Sequence, residues 1–135
     1  MTSVESGTAT PRSPVSVAVK MRGHTVVQDK PEASGGRDEG VMASELLLAA
    51  LLACQHSTFF KIASKRRTEA LVKELHGDMH FDQSGEISRI DVRFTLQAPP
   101  SVADSAVETL LRLTDTACTI SKVLKVPIHA TFVRA

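Results

Sequence analysis

Tryptophan and tyrosine are absent from this sequence, and five phenylalanines are its only aromatic residues. That scarcity removes the stacking platforms on which nucleic-acid bases and sugars are usually held. Charge of one sign is missing too: sixteen Lys and Arg stand against fifteen Asp and Glu, for a formal net charge of +1. Without a strong field, neither nucleic acid nor an anionic membrane surface is an expected partner. Cysteine occurs only twice, too rarely for the disulfide frameworks of small secreted domains, so a reducing, cytoplasmic setting is expected. The longest apolar run, Leu46 to Cys54, is nine residues. A bilayer requires roughly 20, so no membrane span is expected.

At 135 residues the chain has the length of one domain. Residues 1–14, MTSVESGTATPRSP, lack the basic start and apolar core of a signal peptide and read as a flexible tail. The domain is then expected over residues 15–135. Val15, Val17, Val19 and Met21 alternate with smaller or polar residues, Arg22-Gly23-His24 reads as a turn, and residues 25–28 read as the returning strand. The polar loop KPEASGGRDEG follows, and then a helix from about Met42 to Ser64. In LHGDMHFD, apolar Leu75, Met79 and Phe81 with Gly77 face one way, and His76, Asp78, His80 and Asp82 the other. Pairing Asp82 with Ile87 sets Met79 opposite Ile90 and Leu75 opposite Phe94, which aligns two apolar faces and predicts a hairpin.

Beyond Pro99-Pro100, Ser101 and Asp104 have the spacing of a capping box. Val102, Ala106, Leu110, Leu113 and Ala117 then recur at helical spacing, widened by Val107 and Leu111. A short helical piece over 120–124 and a last strand over 127–133 complete an α+β chain with a largely antiparallel sheet and a buried central helix.

Five sets of residues invite a functional reading. Cys54 sits in a helix that is apolar nearly all round, where a free thiol packs well as a small hydrophobe. To be reactive there it needs a partner for its thiolate, because burial favours the protonated form. Glu45 lies nine positions earlier, about 13.5 Å and about 180° away on a straight helix, and fits the role of a helix-start acid. His76, Asp78, His80 and Asp82 have the alternation of a metal site, but the predicted register sets Arg89 and Arg93 across from the histidines, and these cations oppose a divalent metal. His56 points about 200° from Cys54 and is poorly placed as its base. Gly35-Gly36-Arg37 lacks the spacing of a phosphate loop, and no G-x-S-x-G elbow occurs.

The segment GGRDEGVMASELLLAALLAC, with CTISKVLKVPI starting 64 positions after Cys54, resembles the OsmC/Ohr family of osmotically inducible protein C and organic hydroperoxide resistance proteins, nearer to the OsmC-like branch. The likeness runs from about Val15 to Val133. It implies an OsmC-like α+β fold assembled as an intertwined homodimer. It also implies a thiol peroxidase that reduces organic hydroperoxides to alcohols, with Cys54 oxidised to a sulfenic acid and Cys118 resolving it as a disulfide. Arg22 matches the family's arginine beside the thiolate, with Arg37 as a rival, and Glu45 matches its helix-start glutamate. The hydroperoxide resistance branch has that glutamate where Ser44 stands here, and many members carry Pro where Thr119 follows Cys118. No bound cofactor is implied; an external dithiol reductant such as a lipoyl protein is. A low-polarity pocket of residues such as Leu51, Phe59 and Phe60 would favour alkyl over hydrogen peroxide. The alternative is an OsmC-like stress protein that binds or senses through its thiols with little turnover.

Overall fold

The computed structural model describes residues 2–135. The single domain expected from the sequence is built as two compact units, one ending at Leu47 and the other spanning Leu48–Ala135. In the first, β1 (Thr8–Ser13), β2 (Ser16–Met21) and β3 (His24–Gln28) form an antiparallel sheet in that order. The β2–β3 hairpin is the one expected, with Arg22 at φ 49° and Gly23 at φ 81° making its tip. Strand β1 lies inside the segment expected to be a tail. Its pattern TATPRS has no apolar alternation, and it holds a proline. It lies at the sheet edge, where a missing N–H is tolerated, and the register shifts between Pro11 and Ser13.

After β3 the chain folds around one buried carboxylate. Asp29, 1 % exposed, accepts hydrogen bonds from the N–H groups of Lys30 (2.7 Å), Arg37 (3.2 Å) and Glu39 (3.2 Å). Burial works to raise its pKa, but these three amides and the nearby Arg12 hold it below the usual carboxylate value. The glycines of the loop have a steric reason. A Cβ on Gly36 would sit 2.0 Å from the Lys30 carbonyl oxygen, and one on Gly40 would sit 2.1 Å from that of Val27. Only glycine admits such close backbone approach.

Helix α1 (Ala43–Lys65) runs from the first unit into the second. By length and composition it could cross a bilayer. Instead, Leu51, Gln55, Phe59 and Ala63, four residues apart, form a buried stripe, so α1 is a core helix. Ala49, Ala50, Ala53 and Phe60 of the same helix remain exposed.

The second unit adds β4 (Leu71–Phe81), β5 (Ile87–Gln97), α2 (Asp104–Ala117), α3 (Thr119–Val123) and β6 (Ile128–Arg134). Leu75 pairs with Phe94 and Met79 with Ile90, as the alternation predicted, while a bulge at His80/Phe81 sets Phe81 rather than Asp82 opposite Ile87. Strand β6 joins β5 in parallel, the one parallel pair of this sheet, reached through α2 and α3. The inner face carries Ile90, Val92, Phe94 and Leu96, all at most 1 % exposed, and the rings of Phe94 and Phe59 lie 5.2 Å apart. Gly77 lets α1 approach β4: a Cβ there would meet Leu48 at 2.9 Å.

The expected capping box does not form. Ala103 is the N-cap of α2 and makes no side-chain bond, while Asp104 accepts from Arg134 at 2.9 Å. Arg134 also donates to the Val102 carbonyl. Asp104 is thus held by a residue thirty positions distant and not by Ser101.

Candidate functional site

Helix α1 carries Cys54 one position before the buried Gln55, at the margin of the core stripe, and so leaves its thiol half-buried. Thr58, one helical turn further on, brings its hydroxyl oxygen to 3.9 Å from the Cys54 sulfur. Cys118 lies at the junction of α2 and α3, where its own N–H bonds the Thr114 carbonyl at 2.8 Å. It is fully buried, and its Sγ accepts the Ser121 N–H at 3.5 Å. The two cysteines, 64 positions apart in sequence, lie near enough to act on each other's pKa, and both are free thiols.

Their environments act in opposite directions. Burial works to raise the Cys54 pKa. Hydrogen bonds from the Cys118 thiol, the Ile120 amide, the Thr58 hydroxyl and the Thr119 amide outweigh it and hold Cys54 below the ordinary thiol value. For Cys118, burial and the neighbouring Cys54 both push the pKa up, only partly offset by Ser121 and the Ile120 amide. Of the pair, Cys54 is therefore the one that loses its proton more readily. The thiolate is the more nucleophilic form of a cysteine.

Sequence reasoning asked for a cation beside Cys54; within the second unit the stabilising groups are instead neutral donors. Two are backbone amides and carry no side-chain signature. Thr58 was legible, since i and i+4 share a helix face. The Thr119 amide has a further meaning: proline at this position would have no N–H to offer.

The other expected residues lie in the first unit. Arg22 is exposed at the tip of the β2–β3 hairpin. Arg37 is exposed in the loop held by Asp29. Glu45, in the first turn of α1, accepts the Met42 N–H at 2.8 Å, the helix-start role its position suggested. The suggested apolar pocket needs correction. Leu51 and Phe59 are completely buried and belong to the core, whereas Phe60 is 65 % exposed.

On the opposite face of the second sheet, Asp91 accepts from His80 at 2.9 Å and Arg89 at 3.3 Å, with His129 at 3.6 Å. Burial works to raise its pKa, and Arg89 and His80 overcome it. Asp78 is paired with His76 at 3.1 Å. Among the described residues, no group of three or more His, Cys, Asp or Glu side chains is arranged to hold a metal ion.

Residues 36–132 match the family model described as OsmC-like protein. No curated protein matches the sequence. Among solved structures, an OsmC-like protein from Mycoplasma pneumoniae superposes with a TM-score of 0.81 at 14 % identity, over 100 % of this chain and 99 % of that one. An organic hydroperoxide resistance protein OsmC from Legionella pneumophila gives 0.68 at 12 % identity, over 98 % and 97 %. The organic hydroperoxide resistance protein OhrB of Bacillus subtilis gives 0.65 at 16 % identity, over 98 % of both chains. These likenesses concern the fold.

Proposed function

Because this chain belongs to the OsmC-like protein family, we propose that it is a cysteine-based peroxidase that reduces organic hydroperoxides to alcohols. The observation that carries this reading is the pairing of a thiol held below its ordinary pKa, Cys54, with a second thiol beside it held above. In the first step the Cys54 thiolate attacks the distal oxygen of R–O–O–H and the O–O bond breaks. The alkoxide leaves and takes up a proton, giving the alcohol and a Cys54 sulfenic acid. In the second, the Cys118 sulfur attacks the sulfenic sulfur, and hydroxide leaves with the Cys118 proton as water, closing the disulfide. An external dithiol, a lipoyl protein being the expected kind, then reduces that disulfide and is itself oxidised. No bound cofactor enters this cycle.

Arg22 is assigned to bind the peroxide oxygens and favour the thiolate, and Glu45 to orient the guanidinium. A carboxylate has about four acceptor sites, so the Met42 bond leaves Glu45 capacity for such a partner. The protein is assigned to the cytoplasm, where both thiols stay reduced between turnovers.

A homodimer is part of the same reading. Ala49, Ala50, Ala53 and Phe60 on α1 form an exposed apolar face on an otherwise core helix, and a second copy is the expected cover. Sedimentation equilibrium at low micromolar concentration should find a dimer. A folded, peroxide-reactive monomer would overturn the assembly.

Consumption of cumene hydroperoxide with dithiol supplied tests the activity. Sustained turnover supports the peroxidase. One equivalent consumed, with a stable disulfide and no turnover, would favour the sensing or binding role instead.

A further inference from the structure

Gln55 is a polar residue in the middle of the apolar core stripe of α1. Its side chain is 1 % exposed. The amide donates through Nε2 to Ser121 Oγ at 3.3 Å, while its Oε1, equally buried, has no hydrogen-bond partner among the described residues. A buried acceptor without a partner is destabilising, and an apolar side chain of the same length would avoid that loss. The amide must therefore be read through the bond it does make.

That bond joins two segments that meet only through tertiary structure. Gln55 adjoins Cys54 on α1, and Ser121 lies three residues after Cys118. Ser121 is tied to the second cysteine by its own backbone, whose N–H points to Cys118 Sγ at 3.5 Å, and the Lys122 N–H returns to the Cys118 carbonyl at 3.1 Å. Cys118 N–H closes onto Thr114, whose hydroxyl closes onto the Leu110 carbonyl at 2.7 Å. The stretch from Thr114 to Lys122 is thus braced along its length. Between Gln55 and Ser121, it is also fastened across to the helix that carries Cys54.

We propose that Gln55 is a positioning residue for the thiol pair, its amide holding Ser121 so that Cys118 and the amides of Thr119 and Ile120 stay against the Cys54 sulfur. The inference rests on Cys54 being the attacking thiol. It requires no contact between Gln55 and the peroxide. Loss of the amide would leave the fold intact and let the 118–121 stretch drift, so Cys54 would lose donors and hold its proton to higher pH.

The test is the rate of Cys54 alkylation by iodoacetamide against pH, in wild type, Gln55→Met, Ser121→Ala and the double variant, with thermal unfolding measured on each. Both single variants should move the midpoint to higher pH and slow alkylation at pH 7 by roughly fivefold, the size of one lost hydrogen bond. The double variant should be no worse than the poorer single, because both remove the same bond. Gln55→Met should unfold at the same temperature as wild type or higher, since it removes the orphaned acceptor. A residue with only a structural role would lower the unfolding temperature and leave the midpoint where it was. Unchanged midpoints in folded variants, or additive shifts in the double, would overturn the proposal. If Gln55→Met fails to fold, Ser121→Ala alone decides by its midpoint. Alkylation needs no peroxide, so a wild type without hydroperoxide turnover would end the peroxidase reading while leaving this result standing.

Discussion

Cys54 and Cys118 are the same side chain in two settings. One lies within a long helix, half-buried, with a hydroxyl a turn away and two backbone amides facing it. The other is fully buried at a helix junction, with the first thiol as neighbour. Burial alone would push both pKa values up. The interaction between the two thiols lowers one and raises the other, and with the deeper burial of Cys118 it separates a pair that composition cannot tell apart; in the proposed cycle that order makes Cys54 the attacking and Cys118 the following thiol.

The sharpest way to break the comparison is to remove each sulfur in turn. Cys54→Ser should abolish hydroperoxide consumption. Cys118→Ser should still consume one equivalent and then stop, read by titrating residual peroxide after a single addition. Equal loss of the first oxidation in both variants would erase the distinction between them.

Next in size is the effect of charge. Arg22→Met should move the midpoint of Cys54 alkylation to higher pH and slow it roughly tenfold at pH 7, the scale expected when a cation is withdrawn from a thiolate. If Arg37→Met has the larger effect, the cationic role belongs to the loop held by Asp29 and not to the hairpin tip.

The pH dependence of stability follows with its sign set by each shift. Cys54, lowered in the fold, contributes stability that is full above the ordinary thiol pKa and lost as pH falls through its folded value. Cys118, raised, contributes stability that is full below the ordinary thiol pKa and lost as pH rises through its folded value. Denaturant titrations of the reduced protein from neutral to alkaline pH should therefore show Cys54→Ser removing a rising component and Cys118→Ser removing a falling one.

The smallest effect belongs to Thr58→Val, which keeps the shape and removes a hydroxyl at the long distance of 3.9 Å. Alkylation of Cys54 at pH 7 should slow only about twofold, below the effect of one full hydrogen bond. A loss as large as that of Arg22→Met would mean that the side-chain donor, not the amides of Thr119 and Ile120, governs Cys54.

What could be seen in the sequence divides along the same line between local and distant. The β4–β5 pairing follows from two alternating segments with one short turn between them, so Leu75–Phe94 and Met79–Ile90 were legible. The His80/Phe81 bulge was not, because one extra residue leaves both apolar faces matched. Strand β1 escaped notice because TATPRS has no apolar face to mark it, and β6 gave no sign of joining β5 in parallel, which depends on the path through α2 and α3. At the site, the two cysteines stood out by their rarity and their family spacing. Of their partners only Thr58, one turn along α1, was legible: two others are backbone amides, and the Gln55–Ser121 bond joins residues 66 positions apart.

The order of the two sulfurs is the centre of this account, and non-reducing peptide mapping after one equivalent of cumene hydroperoxide addresses it most directly. Wild type should yield a Cys54–Cys118 disulfide, and Cys118→Ser should yield a sulfenic acid on Cys54 that a cyclic diketone traps. Over-oxidised Cys54 beside a free Cys118 in the wild type, or a trapped sulfenic acid on Cys118 in Cys54→Ser, would contradict it.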